Sequence, residues 1–581
     1  MLIYNEPAGL PAYRSDCKII FMKNSFFLLP VVTLLVITHV NAQESNKKNA
    51  ASIIYKNAKI WTGDRDNPYA SAIAIVGHNI VYVGDNAAAF TGSETTVVDA
   101  GGKMMVPGFI DNHTHFLTGG YQLTAVNLRY ANTKNAFITT LKTYVSSLAD
   151  NRWIQGGDWD HEAMGGELPT KDWIDSVTGE HPIFVNRYDG HMALANSITL
   201  KLAGIDKNTV SPAGGEIVKD PVTNEPTGVL KDEAMGLVYK VIPTPSEKEL
   251  EEMLQRASVH ALQNGVTQVN DVNSYGGWID LDTYTKAHKK DQLTIRIYSF
   301  VALATWKRLA EYVKQHGRGD DMLRWGGLKG FVDGSLGSTT AWFYQPYLDD
   351  KQSTGLIVTD TNDLRRDILA ADAAGLQVTV HAIGDRANDW LLNVYEEAEK
   401  IKGNTNSRFR IEHAQHLSAN AINRFAALNV IPSMQPYHAI DDGKWAFKRL
   451  DDDRLKRTYA FKSLLDAKAK LTFGSDWTVA PLIPIEGIYA AVTRRTLDDK
   501  NPNGWYPEQK ITVEDALRCY TVNNAYAGFH ENKTGMLKAG MLADFVILSD
   551  DLFSIPAEKI KDVKVLKTIL NGKLVYDAGK N

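Results

Sequence analysis

Eight apolar, strand-like runs recur along this chain, and most are separated by stretches with helical periodicity. The first ends at His113; the others cover 266–271, 294–301, 327–333, 377–381, 409–413, 430–435 and 470–476. Helical patterns fill 363–374, 386–400, 419–428 and 454–467. Another opens on the capping box Ser246-Glu-Lys-Glu249 and stops at Gly265. Repeated strand–helix units of this length favour an α/β fold closed as a (β/α)8 TIM barrel over an open sheet.

The two ends of the chain read differently. Short β-type runs punctuated by Gly77, Gly84 and Gly92 fill 52–98, as a small antiparallel unit would, and similar runs return after Asp544. A small β-sandwich built from both ends, 51–106 and 535–581, is therefore expected to flank a barrel over 107–534. Residues of about 120–245 break the alternation and are rich in Gly and Pro. The strand-like 182–186 could serve as a ninth barrel strand. It is assigned instead to a long insertion after strand one, expected to lie over the barrel mouth.

The 581 residues exceed what one ordinary domain needs, and 44% hydrophobic with 23% charged residues describe a globular protein. A net charge of -5 without a basic block argues against nucleic acid or anionic membrane as partners. Two cysteines, Cys17 and Cys519, make no disulfide framework. Residues 22–42 have a basic start, an apolar middle and small residues before Gln43, as in a secretory signal peptide. The apolar run is short of the ~20 residues a membrane span needs. A periplasmic or secreted protein without a span after signal removal is expected. Met22 rather than Met1 reads as the start, and a homodimer is left open.

Six residues carry the chemistry. His113 and His115 stand two apart on an extended backbone, so their imidazoles leave the strand side by side, as two metal ligands would. Lys329 lies on the fourth run, and His381, His413 and Asp476 end the fifth, sixth and eighth. In a barrel all six fall at or near the C-terminal ends of the strands, where barrel enzymes keep their active sites. Neutral imidazoles and carboxylates suit Zn2+ and other divalent first-row ions. The bland alternatives are an ordinary strand lysine at 329, with one metal, and a helix N-cap at Asp476. His416 and His438 fall near the same mouth and read first as packing residues.

The V-P-G-F-I-D-N-H-T-H entry to strand one, the later strand-end His381, I-E-H and G-S-D resemble the metal-dependent amidohydrolase superfamily. G-D-W-D, D-G-H-M-A-L-A-N, K-G-F-V-D-G-S-L-G-S, H-A-I-G-D-R-A and G-S-D-W-T-V-A-P resemble the branch that includes N-substituted formamide deformylase. The resemblance implies one or two divalent metals, zinc first among them. It puts His113, His115 and Asp476 on one metal and His381 and His413 on the other, with Lys329 bridging as a carbamate. It further implies a metal-activated hydroxide attacking a carbonyl, with Asp476 as general base. His191 is a candidate for the substrate carbonyl, and Asp158, Trp159 and Trp477 for the pocket lining.

The expected activity is hydrolysis of a non-peptide C–N bond in a small molecule, such as an N-acyl or N-formyl amide. Esters, carbamates or cyclic amides would suit the same chemistry, because fold and site leave the substrate open. A non-catalytic binding protein on the same fold is the rival from another class, and it has no need of the full ligand set.

Overall fold

The computed structural model describes residues 50–580 apart from 149–151, 162–163, 188–191, 213–214, 273–277, 338 and 404–405. Eight parallel strands form its centre: β1 Phe109–Thr114, β2 Val266–Asp271, β3 Arg296–Ala302, β4 Leu323–Phe331, β5 Gln377–Ala382, β6 Arg410–His413, β7 Ile431–Met434 and β8 Thr472–Phe473. They neighbour one another in chain order. Beyond β8 the ring closes by a parallel bridge between Thr114 and Trp477, with His115 N donating to Trp477 O at 2.7 Å. The protein is a (β/α)8 barrel, as the alternation predicts.

Helices Ile279–Lys289 and Trp306–His316, which the sequence reading did not place, separate β2 from β3 and β3 from β4. The helix expected over 454–467 is broken into Asp452–Leu455 and Phe461–Asp466. Tyr459 takes a left-handed φ of 50° at the break and donates its N–H to Gln415 O. The Ser246 capping box forms, with side chain and backbone bonds to Glu249 in both directions. It starts helix Glu247–Gln263, which packs against helix Phe116–Thr124 that follows β1.

Chain ends combine into two sheets. One has the order Asn79–Gly84, Ala72–Val76, Ile53–Lys56, Thr96–Asp99; the other joins Phe545–Leu548 antiparallel to Met104–Pro107. Tyr55, Ile73, Ile75, Met105, Phe545 and Ile569 fill the space between. The sheets are mixed rather than purely antiparallel: Ile53–Lys56 runs parallel to Thr96–Asp99, and Lys59–Trp61 parallel to Met104–Pro107. Both chain passages cross from one sheet to the other in the same direction, turning at Asn57 and at Gly101 and Gly102, all with positive φ. From Pro107 the chain passes through Gly108 into β1. A Cβ at Gly108 would lie 2.3 Å from Thr267 Oγ1, so only glycine lets the sandwich strand run this close to β2.

The insertion builds its own six-stranded sheet from Val126–Asn127 to Pro226–Asp232. Phe184–Arg187, which covers most of the candidate ninth strand, pairs with Gly156–Trp159 and Met192–Ala195 in this sheet and not in the barrel. Val185 and Leu194 face one core, with Phe137 and Trp159; Phe184 and Ala193 face a second, with Leu200 and Ile217. The period-two alternation of a strand produces the two-sided burial.

The inside of the barrel is polar. Asn112 on β1 donates to Ser433 Oγ at 3.0 Å and Thr472 Oγ1 at 2.9 Å, and accepts from Asn270 at 2.5 Å. Arg410 on β6 donates to Asn112 O at 2.6 Å and to Glu412, with Thr379 also donating to Glu412. These buried groups pair with one another across the strands, which offsets the cost of removing them from water.

Candidate metal centre

Strand ends β1, β6 and the segment after β8 meet through backbone and carboxylate bonds. Asp111 accepts from Ser475 N with both oxygens at 3.0 Å and from His113 N at 3.1 Å. Asp476 N donates to His113 O at 2.8 Å. These bonds hold the Asp476 carboxylate over β1, where its Oδ1 is 3.2 Å from Nε2 of both His113 and His115. His413 lies beside them, its ring centroid 4.9 Å from that of His113 and 4.5 Å from that of His381. Asp476 and His413 both hold left-handed backbones, φ 58° and 73°. Non-glycine residues rarely adopt this region, and such strain concentrates where function demands a side-chain direction.

The hydrogen bonds assign the nitrogens. Glu412 Oε2 is 2.5 Å from His113 Nδ1. Burial would raise the Glu412 carboxyl, but Arg410 and His113 hold it well below the usual carboxylate range. An ionised carboxylate only accepts, so His113 donates from Nδ1 and its Nε2 keeps a lone pair. That Nε2 is buried, has no hydrogen-bond partner among the described residues and faces an Asp476 oxygen. Burial and Lys329 would lower His113, yet the Asp476 and Glu412 carboxylates outweigh them and raise it. Asp476 is itself held well below its usual range by His113 and His115, against burial. A divalent cation between His113 Nε2 and the Asp476 oxygen would pair both, in place of the proton that the two carboxylates otherwise draw onto the ring. His113, His115 and Asp476 offer three donor atoms within 4.8 Å of one another, and His413, His438 and Asp476 offer a second such group.

His381 and His413 are held neutral by burial. Burial and then Lys329 push His381 down to about 3, and burial and His381 push His413 well below its usual value. His413 Nδ1 bonds Gln435 Oε1 at 2.8 Å, and His381 Nε2 bonds Gly334 O at 3.0 Å. Each oxygen only accepts, so each histidine keeps its other nitrogen for a ligand. Asp333, in the D-G-S-L-G turn, accepts from Ile383 N, Gly384 N and Trp342 N at 2.7–2.9 Å and ties the loop after β4 to the end of β5.

Similarity to known proteins extends over most of the chain. The model of the amidohydrolase family matches residues 96–576. The chain belongs to the amidohydrolase family. This amidohydrolase is 40% identical to Protein LONG AFTER FAR-RED 3 of Arabidopsis thaliana, over 96% of this chain and 97% of that one. It is 25% identical to N-substituted formamide deformylase of Arthrobacter pascens, over 90% and 97%. It is also similar to the crystal structure of an uncharacterized metal-dependent hydrolase from Pyrococcus horikoshii. There the TM-score is 0.73 and the identity 29%, over 87% of this chain and 99% of that one. The amidohydrolase is a metal-dependent hydrolase, and its candidate metal-binding groups are built from His and Asp.

Among the sequence-derived candidates, His113, His115, His381, His413 and Asp476 come together in space. Lys329 is 2% exposed on β4, and its charge reaches His113, His381 and His413. His191 lies outside the described residues. Trp159 is fully buried in the insertion core and donates to Val185 O at 2.8 Å, so its bulk packs the insertion rather than a substrate pocket. Asp158 accepts from Asn186 at 2.9 Å within the same sheet. Trp477 is 5% exposed and stacks on His260, 5.2 Å between centroids, so its ring serves the packing of the barrel wall. Glu412, Asp111 and Gln435 were missed. Each is a polar residue inside an apolar strand run or at its end, which is the signal that could have flagged them.

Proposed function

We propose that this amidohydrolase cleaves non-peptide C–N bonds in small molecules, N-acyl or N-formyl amides being the substrate class and zinc the metal. The observation that carries the reading is the buried, unpaired Nε2 of His113 facing the Asp476 carboxylate that also meets His115. The similarity to a protein named for formamide deformylation, over 90% of this chain, supports the amide class. Divalent ions held by these residues would acidify a water and polarise a carbonyl. Asp476, ionised and at the centre of the donor set, is the base that takes the water proton and returns it to the departing nitrogen. Glu412 keeps His113 in one tautomer, and Gln435 does the same for His413.

Lys329 is the bridging ligand in this reading. Its ammonium makes no hydrogen bond among the described residues and lies 5.1 Å from the Phe331 ring centroid, and burial pulls it down to about 8 against the pull of Glu412 and Asp476. A buried ammonium is costly, whereas the neutral amine can add CO2 and become an oxygen donor. Residues 22–42 are the export signal in this reading, and the protein works in the periplasm or outside the cell.

A panel of N-formyl amines, N-acyl amines and N-acyl amino acids, with esters and cyclic amides beside them, tests the proposal. EDTA should abolish turnover of amides, and Zn2+ or Mn2+ should restore it. Asp476→Asn should lower kcat by roughly 10²–10⁴-fold with the melting temperature near that of the parent. Near-normal turnover in that variant would remove Asp476 as the base, and turnover of esters alone would overturn the amide assignment.

A further inference from the structure

His438 belongs to helix Pro436–Asp442, which begins directly after β7. Pro436 sets the first helical φ, so the helix leaves the strand end at once. Ala439 and Ile440, each 1% exposed, anchor it in the core. Two residues past Pro436, the His438 ring turns into the centre. Its Nε2 is buried and has no hydrogen-bond partner among the described residues. Leaving that atom unsatisfied costs about 1–3 kcal/mol, which a bond to a ligand would offset.

The surroundings say what would pair it. His413 donates from Nδ1 to Gln435 Oε1, which leaves its Nε2 as a lone pair. The Asp476 carboxylate is an acceptor as well. The donor atoms of His413, His438 and Asp476 all lie within 4.8 Å of one another. Donors sharing one zinc at about 2.1 Å sit at most about 4.2 Å apart, so a small side-chain movement closes the set. We propose that His438 is a direct ligand of a second cation, held together with His413 and Asp476. It adds to His381, whose Nε2 is spent on Gly334 O and which joins through its other nitrogen. The β7 end thus serves the centre twice: Gln435 orients one ligand, and His438 is another. The inference rests on the metal centre and not on the identity of the substrate.

Counting metal tests it without any turnover. The full chain is stripped, reloaded with Zn2+ and assayed by elemental analysis and by competition with a chromogenic chelator. The parent should hold two equivalents. His438→Ala and His438→Asn should keep the equivalent at His113 and His115 and bind the other at least about tenfold more weakly. An unchanged isotherm in both variants, or a single equivalent in the parent, would overturn the assignment. Should the variants fold poorly, anomalous scattering from zinc-loaded parent crystals decides it: an ion at bonding distance from His438 Nε2 is expected, and one beyond about 3.5 Å defeats the proposal. Loss of all amide turnover with two bound ions would sink the hydrolase reading and leave this one standing.

Discussion

His416 shows how a residue near the centre can be structural. It is 1% exposed, with Nδ1 bonded to Thr458 Oγ1 at 2.8 Å and Nε2 accepting from Gln415 at 3.1 Å. Burial, then Arg454, pushes it down to about 3. The unfolded chain therefore takes up a proton near pH 6.5 that the folded chain refuses. This contribution to stability is complete above pH 6.5 and is lost as pH falls toward 3, at about 1.4 kcal/mol per pH unit. His416→Gln lacks it. Denaturant titrations of parent and variant should show their stability difference narrowing by about 2 kcal/mol from pH 6.5 to 5. A difference that stays constant over that range would mean the ring is not held neutral. His438, after the next strand, looks alike in the sequence and differs in one respect: its buried Nε2 has no hydrogen-bond partner among the described residues.

At the scale of elements, the centre depends on how closely β1 approaches the end of β8. Gly474 permits that approach. A Cβ there would lie 2.5 Å from His113 N and 2.9 Å from Asp111 Oδ1. Gly474→Ala should push apart the segments that carry His113 and Asp476, costing about 1–3 kcal/mol. It should also weaken zinc binding at least about tenfold by chelator competition, as misplacing ligand supports does. Gly108→Ala is the control, because its Cβ would meet Thr267 Oγ1 at the other end of β1. It should lose stability and keep metal affinity. Equal metal affinity in both variants would show that the β1–β8 contact does not set the ligand geometry. The strand runs were legible because apolar periodicity marks them. The two missed helices and the broken 452–466 segment were not, because their limits depend on tertiary bonds such as Tyr459 N to Gln415 O.

The whole molecule is pinned where barrel meets sandwich. Arg296 on β3 bonds both oxygens of Asp544, at 2.6 and 3.0 Å, and also Asp321 O at 2.8 Å. The pair is 2% and 3% exposed. Asp544 also accepts from Asn571 N at 2.8 Å, while its carbonyl receives Gly108 N at the entry to β1. Removing one partner of a buried pair strands the other, so Asp544→Ala should destabilise by about 3–5 kcal/mol. Metal content of the folded fraction should be unchanged, because the pair lies away from the ligands. A loss under about 1 kcal/mol, read from thermal or denaturant unfolding, would mean the two domains do not lean on this bond.

The order of strands, the barrel, the two-ended sandwich and the presence of an inserted domain could be read from the residues alone. Each is written locally, in apolar period, glycine punctuation and composition. So could the ligand candidates, since His113, His115, His381, His413 and Asp476 stand at strand ends whatever the exact register. Tertiary structure alone decided which of them are turned inward and by what. Glu412 fixes His113 from across the barrel, Asp111 binds the β8 end to β1, and Trp159 vanishes into a core the sequence did not delimit. The first two depend on contacts between residues hundreds apart in the chain, where local pattern carries no information and only closure of the barrel brings the groups within a hydrogen bond; the third depends on how the insertion packs on itself.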